Sequence, residues 1–337
     1  MKKVSVIIPC FNATKYLPKC FMSLVQQTIG IDQIELIFVD DASTDEDATW
    51  NMLQEFERAY PESIMILKLE ENMRQGGARN VALQYATGEY IAFVDADDFV
   101  SENFLLETYE KAKESDADII QFEYFYYTDR LGAVDSGRNI TPEVIEISSV
   151  SDRKRFLISE KVTYGCWNKL YRHTLLNEAH TAYAEHVIYE EPLFVYPLLY
   201  FANKIVILND AYYYYRQNDS GTMRNDMRQE ETLKMHADVQ LAVWNFMKKT
   251  PFFKEYYDEI KLYFLHTYLY ETLYFAKLRD FKPSYAFYKE LEKTVLAEVP
   301  DYVQSIYSAL IPKQMELYRM IGEGMTEVKF KEYWEQL

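Results

Sequence analysis

The sequence Tyr90-Ile91-Ala92-Phe93-Val94-Asp95-Ala96-Asp97-Asp98 places three carboxylates directly after five residues that favour a buried strand. Unpaired carboxylates repel one another and are costly to bury. A divalent cation would neutralise them, and carboxylate oxygens are the ligands that Mg²⁺ and Mn²⁺ prefer. The alternative is that Asp97 or Asp98 caps a helix beginning near Ser101, which needs only one aspartate. The stretch therefore favours a metal site at the end of a strand.

Upstream of this stretch, short apolar runs alternate with amphipathic segments. The predicted strands are Val4–Pro9, Glu35–Asp40 and Ile64–Leu69, and the predicted helices end near Gln27, span Asp47–Tyr60 and span Gly77–Ala86. This alternation predicts an α/β fold with a doubly wound, mostly parallel sheet, in which ligands bind beyond the carboxyl ends of the strands. Polar residues follow Pro9, Val39 and Val94, and we expect them to converge on one site.

Downstream, the sequence predicts a less regular α/β region and then a helical one. The expected elements are a helix at Asn103–Ser115, a strand at Ile119–Tyr127, a hairpin or loop at Asp129–Asn139, and short strands at Ile205–Leu208 and Ala211–Tyr215. From about Asn225 the apolar spacing is helical. The prolines at positions 251, 283, 300 and 312 predict four helices in this tail. We therefore predict two domains, residues 1–224 and a helical module at residues 225–337.

Composition excludes several classes of function. The 337 residues carry 36 Lys and Arg against 53 Asp and Glu, a formal charge of -17, which argues against nucleic acid as a partner and against adsorption to anionic lipid. Three cysteines without a CxxC pair indicate buried thiols in a reducing compartment. The longest uncharged stretch, Pro192–Asn203, is too short to span a bilayer. We expect a soluble, cytoplasmic protein.

Four motifs at the predicted strand ends and helix starts carry a family resemblance. They are Pro9-Cys10-Phe11-Asn12, Val39-Asp40-Asp41-Ala42-Ser43-Thr44-Asp45, Gly76-Gly77-Ala78-Arg79-Asn80 and Phe93-Val94-Asp95-Ala96-Asp97-Asp98. In this order they resemble the signature of family 2 glycosyltransferases with the GT-A fold, of the bacterial surface-polysaccharide type. The resemblance covers residues 1 to about 216. It implies inverting transfer of a sugar from a nucleotide sugar, usually a UDP-sugar, to a hydroxyl of a polysaccharide or glycolipid precursor, with Mn²⁺ or Mg²⁺ as cofactor.

The resemblance also implies roles for individual residues. Asp41 would bind the uracil edge, Asp95 the sugar or ribose hydroxyls, and Asp97, together with Asp95, the metal. Arg79 is expected in the first turn of a helix, where free N–H groups attract phosphate. The complete set of predicted donor contacts is Pro9, Asn12, Asp41, Arg79, Asp95, Ala96, Lys169 and Arg216. Alternatives are an Asx-turn at Asp41 and a solvated helix charge at Arg79.

The pair Glu190-Glu191 precedes Pro192, and by itself it is equally consistent with a general base or with acids favoured at a helix N-terminus. The resembling family usually has Glu-Asp here, so Glu191 takes the place of the catalytic Asp, with Glu190 beside it to raise its pKa. The run Trp167-Asn168-Lys169 resembles one found in bacterial polysaccharide-type members, which implies that Trp167 lines the acceptor pocket. Arg216 and the loop 217–221 would close over the donor diphosphate.

Two other functions are compatible with an α/β chain of this kind. An NAD-dependent Rossmann enzyme needs Gly-x-Gly-x-x-Gly after the first strand, and this chain has Pro9-Cys10-Phe11-Asn12 there. A non-catalytic sugar- or nucleotide-binding protein that kept the fold is the remaining alternative. The tail leaves three roles open: forming a homodimer, contacting the inner face of the membrane that carries a lipid-linked acceptor, or supporting the catalytic domain.

Overall fold

The computed structural model describes residues 2–138, 140–218 and 230–337. They fall into two compact units, Met1–Asn218 and Asp219–Leu337. The predicted boundary between residues 224 and 225 lies outside the described residues. The two units are described separately below.

The first unit is built on one sheet with helices between its strands. The strands are β1 (Val4–Cys10), β2 (Ile34–Asp40), β3 (Ile64–Lys68), β4 (Tyr90–Phe93), β5 (Phe99–Val100), β6 (Ile119–Thr128), β7 (Gly132–Asp135), β8 (Glu143–Glu146), β9 (Lys169–Arg172) and β10 (Lys204–Arg216). The helices are α1 (Leu17–Val25), α2 (Ala48–Ala59), α3 (Arg74–Leu83), α4 (Phe104–Ser115), α5 (Val150–Leu157), α6 (His173–Ala179) and α7 (Glu191–Phe201).

The first four long strands form the parallel half of the sheet, in the order β3-β2-β1-β4. Every residue of β1 is buried, as expected for a central strand covered on both faces. Cys10 of β1 pairs with Asp40 of β2, and Ile7 of β1 pairs with Phe93 of β4. The carboxyl ends of β1, β2 and β4 therefore meet at one edge, as the sequence predicted.

The other half of the sheet is mixed. β9 lies between β4 and β6 and is antiparallel to both. No strand was predicted at these residues. The prediction of two short strands at Ile205–Leu208 and Ala211–Tyr215 is wrong, because β10 continues through both. Two bulges let it stay paired with β6 across the polar residues between them. The hairpin predicted near Asp129 is present as β6 and β7.

The second unit is helical among its described residues. Its helices are α8 (Glu230–Met247), a helix from Tyr257–Phe264 through a π segment at Leu265–Glu271 to Thr272–Leu278, α9 (Tyr285–Glu298), α10 (Pro312–Gly322) and α11 (Glu327–Gln336). The described residues of this unit thus contain five helices, with the three consecutive segments at residues 257–278 counted as one, whereas four were predicted. Gly324 has φ +84, a left-handed conformation that breaks the last segment in two. Across the described ranges, no helix has the length and hydropathy of a membrane span.

Candidate active site

The loops that follow β1 and β2 are joined through Asn12. Its side chain accepts a hydrogen bond from the Thr44 N–H (2.8 Å) and donates one to Thr44 Oγ1 (3.1 Å). Asn12 has φ +48, a left-handed conformation that asparagine tolerates. Pro9, by contrast, is buried inside β1 opposite Val39. The structure therefore places Asn12 on the open edge and Pro9 beneath it.

Asp41 lies at the carboxyl end of β2 and is only 3% exposed. Its Oδ1 accepts a hydrogen bond from the Met73 N–H (2.7 Å), at the N-terminus of α3. Burial raises the pKa of Asp41 to about 6, although this bond acts in the opposite direction. Directly after Asp41, Ala42 and Ser43 line a cavity of about 620 Å³ together with Lys68–Glu70.

Replacement of Asp41 by Asn is expected to raise the free energy of unfolding at pH 7 by about 1–3 kcal/mol. The folded-state pKa lies above the ordinary carboxyl value, so the contribution of this group is fully present below about pH 4. That contribution is lost as the pH rises through about 6. Urea unfolding at pH 7 and pH 4 checks this expectation. The gain should shrink at pH 4, and the exposed Asp210→Asn should show no gain at either pH.

The carboxylate of Asp98 is hydrogen-bonded within the protein and joins the loop after β4 to β10. Its Oδ1 accepts the Arg216 backbone N–H (2.6 Å) and its Oδ2 accepts the Tyr213 hydroxyl (2.7 Å). The same hydroxyl accepts the Asp95 N–H (3.1 Å), so Tyr213 ties β10 to the loop after β4. Tyr213 was missed by sequence reasoning. Its only signal was a place in a dense aromatic run, which is equally typical of a core residue.

Asp97 and Asp95 are the acids that fit a cation. Asp97 Oδ2 accepts a hydrogen bond from a neutral donor, Asn218 Nδ2 (2.9 Å). Burial together with the charge of Asp95 raises the pKa of Asp97 to about 6. Within the described ranges, no three His, Cys, Asp or Glu side chains converge as metal ligands. One or two carboxylates completed by substrate phosphates is the usual arrangement for Mg²⁺. These residues therefore fit a cation shared with a diphosphate. Ala96, 8% exposed, lies between them in the sequence.

Arg79 is 1% exposed and joins two carboxylates. Its Nη2 contacts Asp95 Oδ1 (2.7 Å) and its Nη1 contacts Glu190 Oε1 (2.5 Å). The guanidinium also lies 5.3 Å from the ring centroid of Tyr183. Both terminal nitrogens are thus held by acids, and the arginine connects the acidic edge after β4 to the start of α7.

The prediction that Arg79 lies in the first turn of its helix is wrong. α3 begins at Arg74, where the Asp41 carboxylate accepts the preceding Met73 N–H, so Arg79 lies in the second turn. Gly76 explains how α3 reaches the start of α7. A Cβ at this position would lie 2.2 Å from the Ala184 carbonyl oxygen and 2.9 Å from Glu190 Cγ. Gly76 therefore permits close packing of α3 against this segment, and Arg79 of the same helix faces carboxylates.

Glu190 and Glu191 differ in their surroundings. Glu190 directly precedes α7 and its Oε1 is paired with Arg79, whereas Glu191 begins α7 and its Oε1 accepts the Cys166 backbone N–H (2.7 Å). Burial and the neighbouring charge of Glu190 raise the pKa of Glu191 to about 7. A carboxylate with a pKa near the working pH suits general base catalysis. Of the two acids, Glu191 therefore has the properties of a base.

Trp167 is half-buried and belongs to an aromatic cluster. Its ring stacks on Tyr215 at 5.3 Å, meets Tyr124 edge-on at 4.8 Å, and lies 4.7 Å from Tyr213. Trp167 directly follows Cys166, whose N–H contacts Glu191. The aromatic cluster is therefore close in sequence to the contact made by the candidate base.

The other two predicted cations are tied to the protein. Lys169 is completely buried, and its ammonium donates three hydrogen bonds to the segment 163–168. Arg216 Nε donates to the Asp97 carbonyl oxygen (2.8 Å) and Nη1 to Asp129 Oδ1 (2.6 Å), while its guanidinium lies 4.6 Å from the Tyr16 ring centroid. The predicted closing loop 217–221 is described only at positions 217 and 218. In this structure, Lys169 has no ammonium donor left for a phosphate.

Comparison with known proteins adds three findings. The sequence profile described as "Glycosyl transferase family 2" matches residues 5–179. The "Glycosyltransferase GlyG" of Streptococcus pneumoniae serotype 4 is 31% identical over 66% of this chain and 73% of its own length. The "Poly(ribitol-phosphate) beta-N-acetylglucosaminyltransferase TarS" of Staphylococcus aureus strain MW2 is 30% identical over 66% of this chain. That alignment spans about a third, 36%, of TarS.

Solved structures resemble the chain over almost its whole length. S. aureus TarS 1-349 in complex with UDP-GlcNAc superimposes with a TM-score of 0.72 and 21% identity, covering 98% of this chain and 89% of that one. A mannosyltransferase from Pyrobaculum calidifontis, in complex with GDP-Man and Mn²⁺, gives a TM-score of 0.52 at 15% identity, covering 96% and 86%. At these identities the likeness shows the fold alone, and the fold class predicted from the sequence is confirmed.

Proposed function

The chain belongs to glycosyl transferase family 2, and we propose that it moves a sugar from a UDP-sugar to a hydroxyl of a cell-surface polysaccharide or of its glycolipid precursor. The enzyme is a glycosyltransferase, which sets aside the non-catalytic alternative. One observation carries the finer proposal. The ion pairs of Arg79 link Asp95, a predicted donor contact, to Glu190, the neighbour of the candidate base Glu191.

In the proposed reaction, Glu191 takes the proton of the acceptor hydroxyl as its oxygen attacks the anomeric carbon of the donor sugar. The bond between that carbon and the diphosphate breaks on the opposite face, UDP leaves, and the configuration inverts. Asp41 would bind the base of the nucleotide, and Asp95 the sugar or ribose hydroxyls. Trp167 and the tyrosines around it would form an apolar wall for the acceptor.

A divalent cation is part of the proposal. Asp97, with Asp95, would hold Mn²⁺ or Mg²⁺, which would neutralise the charge of the diphosphate when bound. Two observations support it: the raised pKa of Asp97 beside a second carboxylate, and the Mn²⁺ in the structure of the Pyrobaculum mannosyltransferase.

The donor and acceptor classes draw on the named relatives. TarS 1-349 was crystallised with UDP-GlcNAc, and the TarS name specifies a poly(ribitol-phosphate) acceptor. For this chain we propose a UDP-sugar and an acceptor of the polysaccharide or teichoic acid type. A cytoplasmic location, at the inner face of the membrane, is likewise a proposal, consistent with the free buried thiols. The predicted roles of the tail in dimerisation and membrane contact stay predictions.

A thermal-shift screen of nucleotide sugars, with and without Mn²⁺, tests this function. A UDP-sugar at about 100 times its Kd should stabilise the protein by about 2.7 kcal/mol, which raises the Tm by about 5 °C. Asp97→Ala should abolish the part of the shift that depends on Mn²⁺, because it removes the proposed ligand. Asp210→Ala, an exposed aspartate on β10, should leave the shift unchanged. If no UDP-sugar raises the Tm, the proposed donor is wrong. If the Tm rises equally with and without Mn²⁺, the proposed role of the metal is wrong.

A further inference from the structure

The buried lysine Lys169 lies outside the proposed reaction. Burial lowers the pKa of Lys169 to about 7, whereas the nearby charge of Glu191 acts to raise it. Lys169 Nζ donates to Thr163 Oγ1 (3.0 Å), the Gly165 carbonyl oxygen (2.5 Å) and Asn168 Oδ1 (2.8 Å). An ammonium has three donors, and all three are used within the segment 163–168, which we call the 163–168 loop. A buried lysine is costly, so an arrangement that keeps one calls for a specific role.

The Gly165–Cys166 peptide connects this lysine to the candidate base. Its carbonyl oxygen accepts from Lys169, and its N–H, on the Cys166 side of the same peptide, donates to Glu191 Oε1 at 2.7 Å. A trans peptide is planar, with its C=O and N–H pointing in opposite directions. Holding the oxygen therefore orients the N–H. When Lys169 is charged, its positive charge beside the carbonyl oxygen also polarises the peptide and strengthens the N–H as a hydrogen-bond donor.

The rest of the 163–168 loop is anchored to β6 and β9. Gln121 Oε1 accepts from the Thr163 N–H (2.9 Å), Asn168 Nδ2 donates to the Phe122 carbonyl oxygen (3.2 Å), and the Tyr171 hydroxyl donates to the Cys166 carbonyl oxygen (3.4 Å). These contacts hold both ends of the loop and the carbonyl group of Cys166. Among the residues that the structure describes, Lys169 is the hydrogen-bond donor to the Gly165 carbonyl oxygen, so the lysine sets the orientation of the peptide that faces Glu191.

We propose that Lys169 is a positioning residue of the transferase, which holds the Gly165–Cys166 peptide so that its N–H is aimed at Glu191. This inference rests on the proposed function, because it takes Glu191 as the general base. It replaces the donor contact that the sequence predicted for Lys169.

The charged groups around Glu191 give the sign of the expected change. Burial, Glu190 and Asp95 raise the pKa of Glu191, whereas Arg79 and the Cys166 N–H lower it. Lys169 and Glu191 attract each other when both are charged, so loss of Lys169 removes a group that favours the Glu191 carboxylate. It also loosens the N–H contact. Both effects destabilise the carboxylate, so the proton affinity of Glu191 should increase.

The test is a titration of Glu191 in Lys169→Met, a variant of similar shape without the charge. Protein labelled with ¹³C at the glutamate carboxyl groups is followed by NMR, and the Glu191 signal is assigned from its absence in Glu191→Gln. The proton affinity of Glu191 should rise about tenfold in Lys169→Met. Lys161→Met, which removes an exposed lysine paired with Glu143, is the matched control and should leave the titration unchanged.

Thr163→Val provides a second variant, because it removes one Lys169 partner and keeps the charge. We expect a smaller change in the same direction, about two- to threefold. If Lys169→Met does not fold, as judged by its melting transition, this variant decides the question. Titrations of both variants that match Lys161→Met would overturn the proposal.

Activity separates this inference from the proposed function. If transfer occurs, the acid limb of the kcat profile should move to higher pH in Lys169→Met, with the KM for the UDP-sugar unchanged. A raised donor KM with an unmoved titration would restore the donor contact and overturn the positioning role. A moved titration in a protein whose wild type transfers no sugar would support the positioning role and reject only the proposed function.

Discussion

Glu191→Gln should lower kcat by about 10²–10⁴-fold, the usual contribution of a general base. Glutamine keeps the shape of the side chain and an oxygen that can accept the Cys166 N–H, but it cannot take a proton. Donor binding should persist, so the Tm shift with a UDP-sugar should match that of the wild type. In the wild type, kcat should fall as the pH drops below about 7, because Glu191 becomes protonated there. Release of UDP, measured across pH 5.5–9, checks the loss of kcat in the variant and the fall of kcat at low pH in the wild type.

Glu190→Gln is the matched control for this result. It changes the neighbouring acid, whose carboxylate is paired with Arg79, and it should therefore reduce stability more than Glu191→Gln does. If Glu191→Gln keeps more than about a tenth of the wild-type kcat, it is not the base. If Glu190→Gln alone loses turnover while its melting temperature is unchanged, the assignment of the pair reverses.

The second large effect is expected at Arg79. Replacement by Met should reduce the free energy of unfolding by about 3–5 kcal/mol, because Asp95 and Glu190 are then left without their buried counter-charge. Arg155→Ala is the control, since the Arg155 side chain is 74% exposed and paired with Asp152 on the surface. Such a pair contributes about 0–1 kcal/mol. Urea unfolding gives both values, with hydrogen exchange of the β1 amides identifying the transition of the first unit.

A combined variant tests the cause of this loss. Adding Glu190→Gln and Asp95→Asn to Arg79→Met removes the two unpaired charges and should recover part of the stability. If the triple variant is as unstable as the sum of its single replacements, the charges act independently and Arg79 is not their shared partner. Loss of transfer alone would not distinguish these cases, because Asp95 is also a proposed donor contact.

Much of the parallel half of the sheet was predictable from local pattern. Continuous apolar runs such as Leu36–Val39, followed by polar residues, indicate buried strands that end at a binding edge. The mixed half was less predictable. β9 is a four-residue strand that follows Trp167-Asn168, and β10 passes through two bulges, so neither has a regular period. Their pairing partners, β4 and β6, lie far away in the sequence.

The candidate site shows the same division at the level of single side chains. Asp97 was predicted as a site residue because several acids together are unusual at the end of a strand. Glu191 was predicted because it stands where the resembling family has its catalytic acid. Arg79 and Lys169 were also predicted as site residues, but as contacts to the nucleotide-sugar donor. In the structure Arg79 contacts two carboxylates and Lys169 contacts the 163–168 loop. A local sequence pattern does not predict these partners.

The amino-acid sequence by itself determined the elements of the parallel half of the sheet, their order, and which acids stand where strands end and α7 begins, because apolar period and breaking residues act within a few positions. Tertiary structure alone decided the partners of these charges. Arg79 meets Glu190 across 111 positions, and Asp98 meets Tyr213 across 115. A buried charge takes whichever partner the packed chain brings within reach, so pairings of this range are settled only by folding.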